Sequence, residues 1–204
     1  MFYNNELIAY KLKRWEKVIS NFRLPDWNTI PDIGLYMEQV IVLLSQYLEL
    51  ISSFDDKSTK DEESKVFTAA AINNYVRLKI MPAPIKKKYY RVHIAYLIMI
   101  FTLKQSISIN VLREIIPAEM SSDEVEKTYN GYCQTYHKVS LKYVDIVRTN
   151  ATEVINGDNG DSSVIENFVI NEALISGFSR ILTEKIVYLK GADKEETLKN
   201  EVPR

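Results

Sequence analysis

Apolar residues recur at helical spacing through most of the chain. Leu7, Ile8, Leu12, Trp15, Val18, Ile19 and Phe22 predict an amphipathic helix over residues 4–22. Pro25 and Pro31 bound a connector, and Asp32 stands as the N-cap of a second helix reaching about Ser52. The inward set of that helix reads Ile33, Tyr36, Met37, Val40, Ile41, Leu44, Tyr47, Leu48 and Ile51. Residues 53–65 are polar and charged and predict a loop. Thr68 then caps a short helix through Lys79 that turns Ile72, Tyr75 and Val76 inward. Pro82-Ala83-Pro84 stops it and imposes extended backbone. Residues 85–89 are short, basic and extended, and a strongly apolar helix covers about 90–104. Ser108 caps a further short helix through Ile116, which Pro117 ends.

Two long helices follow. The first, from about Ser122 to Ile155, carries the stripe Val125, Tyr129, Tyr132, Tyr136, Val139, Tyr143, Val147, Ala151 and Val154. Residues 156–161 (NGDNGD) read as a turn. The second runs over about 162–190 to Gly191, with Val164, Phe168, Ile175, Phe178, Leu182 and Ile186 on one face. Phe168, Phe178 and Leu182 are expected to pack opposite the tyrosine stripe in an antiparallel hairpin. A polar tail closes the chain.

With 204 residues, six glycines and six prolines, the chain is long enough for a real core built of long regular elements. A single cysteine, Cys133, excludes a disulfide framework and a cysteine-based zinc site. The longest apolar run, residues 92–103, is about half of what a bilayer span needs and reads as a core helix, so no membrane role is expected. Residues 1–22 lack an uninterrupted apolar stretch of signal-peptide type, which makes a cytoplasmic protein the expectation. Two separated histidines, His93 and His137, with no phosphate-cradling glycine loop and no spaced carboxylate set, argue against an enzyme, a metal site or a cofactor.

Charge changes the picture more than composition does. The formal net charge is −1, from 26 Lys and Arg against 27 Asp and Glu. Yet residues 65–113 hold only basic ones: Lys65, Arg77, Lys79, Lys86, Lys87, Lys88, Arg91, Lys104 and Arg113. A basic block between two acidic arms points to a polyanion partner that the average conceals. Inside the block the order is capped helix, proline turn, basic stretch, apolar helix, short helix. That is the layout of a winged helix-turn-helix, in which a short helix enters the major groove and a basic wing reaches flanking phosphates.

The segment from Thr68 to Pro82 (TAAAINNYVRLKIMP) resembles the recognition helix and turn of MerR-type regulators. Ile72 matches their buried Leu, Tyr75 their second Tyr, and Ile80-Met81-Pro82 their Leu-Leu-Pro turn. Tyr89, Ile94 and Leu97 match the Tyr after the wing and the two core positions of the next helix. Ser108-Ile109-Asn110-Val111-Leu112 stands where those proteins have a Ser-Leu-x-x-Ile helix start. Ala71 replaces their Thr, Asn73 and Asn74 replace an Arg-Tyr pair, Val76 replaces Glu, and the wing is shorter and lacks Gly. A more specific likeness lies in Leu24-Pro25, in residues 30–40 (IPDIGLYMEQV), in Ile72-Asn73-Asn74-Tyr75-Val76 and in Lys86-Lys87-Lys88-Tyr89. Together these resemble the bacterial family catalogued as domain of unknown function 1836, over about residues 24–120. That family is MerR-like in sequence, and its members are taken to be transcription regulators.

The reading that follows is a mostly α protein with at most a two-stranded wing. Residues 1–27 would form an N-terminal helix and connector, and 28–118 a MerR-like winged helix-turn-helix domain. Residues 119–190 would be a helical hairpin for dimerisation or effector binding, and 191–204 a tail. The expected function is sequence-specific binding of double-stranded DNA by a homodimer, with recognition helix 68–79 and wing 85–91. Thr68, Asn73, Asn74, Arg77, Lys79, Lys86, Lys87, Lys88, Tyr90 and Arg91 are the candidate DNA contacts. An Asn amide pairs bidentately with adenine, and lysines in a wing suit phosphates. The stripe Tyr129, Tyr132, Tyr136 and Tyr143 leaves core packing, a dimer interface and a small-molecule pocket open. An unknown small-molecule effector stays open as a partner. The alternative is a helical module that binds a protein or a small ligand and not DNA.

Overall fold

The computed structural model describes residues 4–49, 66–156 and 163–192. The expected loop at 53–65, the turn at 156–161 beyond its first residue, and most of the tail lie outside the described residues. Those described form seven α-helices and a short 3-10 turn over Trp27–Thr29: α1 (Asn5–Asn21), α2 (Met37–Tyr47), α3 (Ala69–Arg77), α4 (Arg91–Leu103), α5 (Ile109–Ile115), α6 (Ser122–Asn156) and α7 (Ser163–Tyr188). Among them no strand forms, and pairing is limited to two antiparallel bridges, Leu35 with Tyr89 and Ile85 with Lys88.

Side-chain caps start four of these helices. The Asn4 amide oxygen accepts from Leu7 N at 2.9 Å, Thr68 Oγ1 from Ala71 N at 3.1 Å, and Ser108 Oγ from Val111 N and Ser121 Oγ from Glu124 N, both at 3.4 Å. The second helix starts otherwise. It begins at Met37, after Tyr36, and Asp32 caps nothing. Residues 34 and 35 are held extended by the wing: Leu35 N donates to Tyr89 O and Tyr89 N to Leu35 O, both at 2.8 Å. Gly34 makes this approach possible, because a Cβ there would stand 2.7 Å from Lys88 Cδ. Ile33 and Tyr36, expected inside, are exposed as a result, and Val40, Leu44 and Leu48 alone supply fully buried side chains to this segment.

Helix α4 lies at the centre of the main core. Nine of its thirteen residues are buried, so the helix is covered on every side, as its unbroken apolar run requires. Phe101 meets Phe67 and Tyr75 edge-on, with ring centroids 4.9 and 5.5 Å apart. Tyr96 donates to Pro117 O at 2.7 Å, which ties α4 to the chain leaving α5. The first turns of α6 belong to the same core. Tyr129 is fully buried beside Trp27 and donates to Pro25 O at 2.8 Å.

Beyond Tyr136 helix α6 leaves this core, and α1 lies along it in the opposite direction. Phe22 stacks against Tyr136, and Arg148 reaches Glu16 at 2.9 Å. Ala9, Leu12, Val147, Ala151, Val154 and Ile165 bury a second, smaller core. Of the residues expected to pack in the hairpin, Phe168 packs partly buried against this core, and Phe178 and Leu182 do not. The face of α6 foreseen for Phe178 and Leu182 is taken by α1, and those two side chains are 67% and 59% exposed.

Candidate nucleic-acid interface

Helix α3 presents a short polar face. Ile72 and Tyr75 are buried, and Arg113 donates to Leu78 O at 2.9 Å, fixing the end of the helix. Ala69, Ala70, Asn73 and Arg77 are left exposed on the opposite side. Asn74 is half-buried, and its amide oxygen accepts from Arg77 Nη2 at 2.7 Å. Asn73 is therefore the amide on this helix that points outward, and Asn74 serves to orient the Arg77 guanidinium. Thr68 spends its hydroxyl on the cap. Lys79, exposed, follows the helix in left-handed backbone at φ 54°. Lys104 lies over the Tyr75 ring, 5.5 Å from its centroid, so a further cation stands beside α3.

The wing is a two-residue turn. Ile85 N donates to Lys88 O at 3.0 Å and Lys88 N to Ile85 O at 2.9 Å. Lys86 and Lys87, the two residues between, have φ 49° and 64°. Left-handed backbone at both central positions is the geometry of a type I′ turn, which normally selects Asn and Gly. Both lysines are exposed. Lys88 differs: it is half-buried, its stem fills the space beside Gly34, and its ammonium sits 5.4 Å from the Tyr36 ring centroid.

The last two wing candidates are tied into the scaffold. Arg91 donates from Nε to Ile30 O at 2.8 Å and lies over Trp27, 5.7 Å from the ring centroid. Its Nε–H is taken up by that carbonyl, and its two Nη groups make no other hydrogen bond among those of the described residues. Tyr90 starts α4: its N–H donates to His93 Nδ1 at 3.0 Å. His93 Nε2 lies 3.0 Å from Ala83 O, so a neutral ring with its proton on Nε2 satisfies both contacts. His93 is thereby a buried structural residue that clips the wing base to α4. Among the described residues no group of three or more His, Cys, Asp or Glu could hold a metal ion.

Two contributors were not singled out as site residues from the sequence, although Lys104 belongs to the basic block. Tyr36 joins the surface only because the Gly34–Leu35 segment is extended. Lys104 joins it only because α4 ends against Tyr75. The lone glycine between Ile33 and Leu35 was the readable hint of a close approach.

The tyrosine stripe on α6 is mostly internal. Tyr129 is buried and offers no surface; Tyr132, bonded through its hydroxyl to Thr102 Oγ1, and Tyr136, packed on Phe22, are partly exposed. Burial holds the Tyr129, Tyr132 and Tyr136 phenols above the ordinary tyrosine range. Tyr143 is exposed and donates to Glu172 at 3.3 Å. Cys133 is half-buried, and burial is the main cause that pushes its thiol up, away from nucleophilic character.

The family described as Domain of unknown function (DUF1836) matches residues 25–139, more than half of the chain, and the chain belongs to it. The match runs past the expected end near residue 120 and takes in the first half of α6, in keeping with the place of Tyr129 in the main core. No curated protein and no solved structure matches. Among the described residues no helix is long and apolar enough to cross a membrane.

Proposed function

We propose that this member of the DUF1836 family is a sequence-specific DNA-binding transcription regulator of MerR-like winged helix-turn-helix type. Helix α3 is its recognition helix and the turn at residues 85–88 its wing. Asn73 reads a base edge, Arg77 contacts a phosphate or guanine, and Lys86, Lys87 and Lys79 bind flanking phosphates. The observation that carries this reading is the wing turn. Lysine is a poor choice for left-handed backbone, where each residue costs on the order of 1 kcal/mol. Two such positions at an exposed tip hold two full charges in a fixed place. Strain retained at a surface tip, where Asn-Gly would fold more easily, fits a contact surface better than a mere connection.

The test is selection of bound duplexes from a random pool at two salt concentrations. A recovered motif is expected. Changing Lys86 and Lys87 to Ala should weaken binding to all sequences and flatten the salt slope by about 0.9 per lost phosphate contact. Asn73→Ala should instead relax preference at the base pair it faces. A folded chain with no affinity for DNA at low salt overturns the proposal.

One observation favours the alternative, a module that binds a small ligand or a protein. An apolar groove of about 380 Å³ opens along α2, between Pro31, Leu35, Val42 and Leu43, with Glu38 and Gln46 at its edge. In a DNA-binding chain the same groove would suit an effector.

A further inference from the structure

Helix α7 touches the rest of the described chain along its first part, as far as the Tyr143–Glu172 hydrogen bond, and again near its far end. Ile165 is buried in the small core at one end; at the other, Val187 packs on the main core and Lys190 donates to Glu114 O at 2.7 Å. Between them every residue from 173 to 182 is exposed. The exposed side chains are not those of a solvated helix: Ile170, Leu174, Ile175, Phe178, Ile181, Leu182 and Ile186 stand in water at about half of their surface or more. An exposed apolar stripe of this length marks a docking surface.

We infer that the occupant is a second copy of this chain, lying antiparallel along α7. The helix is self-complementary when read in both directions from Ser176. Leu174 then faces Phe178 of the other copy, Ile170 lies level with Leu182, and Asn171 with Ile181. Asn167 meets Lys185 at each end. Apolar residues meet at the centre and polar residues at both rims, the anatomy of a specific interface. The first half of α7 carries Glu166 and Glu172; the second carries Arg180, Lys185 and Glu184, with Arg180 paired to Glu184 at 3.1 Å, so Lys185 is the cation that an antiparallel copy sets opposite the acidic half.

Size is sufficient. Seven half-exposed apolar side chains at about 100 Å² each give on the order of 700 Å² per chain, close to the ~800 Å² of a standard interface. A lipid surface is disfavoured by the polar positions, where α7 carries three Glu against one Arg and one Lys, the opposite of the basic face that interfacial helices use.

The inference does not rest on DNA binding and is tested without DNA. Sedimentation of the full chain over a concentration series should show a dimer. The Leu174→Asp, Phe178→Asp double variant should sediment as a monomer with its helical circular dichroism unchanged, since neither side chain is buried within one copy. The register is tested by cross-linking in a Cys133→Ser background. Under mild oxidation Asn167→Cys and Lys185→Cys chains should form a disulfide dimer when mixed, and neither should do so alone. A monomer at all concentrations overturns the inference, as does cross-linking of each variant alone or a monomer that co-sediments with lipid vesicles.

Discussion

Helices α4 and α7 are both rich in apolar side chains, and their fates are opposite. Helix α4 is shorter and buries nine residues; α7 is twice as long and buries one. Apolar content alone does not decide burial. What decides it is which other elements the chain can bring within reach. Around α4 stand α2, α3, α5 and the start of α6. By the time α7 returns along α6, helix α1 already occupies the best face of α6.

The largest expected effect lies in α4. Phe101→Ala removes the ring that holds Phe67 and Tyr75 together, and should cost about 3–5 kcal/mol in denaturant unfolding. A loss below about 1 kcal/mol would break the claim that α4 organises the core. How much of this was legible in the sequence depends on the range of the contacts. The caps at Thr68 and Ser108 and the extents of α6 and α7 follow from local pattern, and the structure matches them within a residue or two. The start of α2 was misplaced because Leu35 answers to Tyr89, which periodicity cannot see. The anchoring of Arg91 was invisible for the same reason: its Nε donates to the distant Ile30 carbonyl. The stretch around Lys86 and Lys87 reads as basic and hairpin-like, but the place of its turn is unmarked because the two central positions carry neither Asn nor Gly. Periodicity correctly marked an apolar face on α7 but could not say that α1, and not α7, covers α6.

Alkaline pH should separate the two regions next. The Tyr96 phenol is pushed up to about 12 by burial, with the nearby Glu124 adding to the shift against the lowering pull of a backbone hydrogen bond. Its folded value lies above its unfolded one, so its stabilising contribution is complete below about pH 10. That contribution is lost as pH rises toward 12. Tyr132 shifts the same way. Melting temperature followed by circular dichroism should fall steeply above pH 10, and a flat profile to pH 11.5 would contradict the burial of these phenols.

A smaller effect of opposite sign is expected at the wing. Replacing Lys86 by Asn and Lys87 by Gly relieves the left-handed strain and should raise stability by about 1 kcal/mol. If the wing contacts phosphates, the same variant loses affinity for DNA and flattens the salt slope. The smallest effect should come from Phe178→Ala in α7: within about 0.5 kcal/mol on unfolding of a single copy, against a clear loss of self-association. Equal destabilisation by Phe101→Ala and Phe178→Ala would erase the contrast between the two helices.

The bridge between Leu35 and Tyr89 has a consequence for the order in which the molecule takes shape. The wing cannot draw its form from its own residues, since two lysines in left-handed backbone do not nucleate a turn. It is pressed into shape by a segment on the far side of α2 and α3 in the chain, and the entropy of closing so long a loop must be met first. The wing is therefore among the last parts to order on folding and among the first to open in local unfolding. A weakened chain should lose the shape of its proposed contact surface while its core still stands.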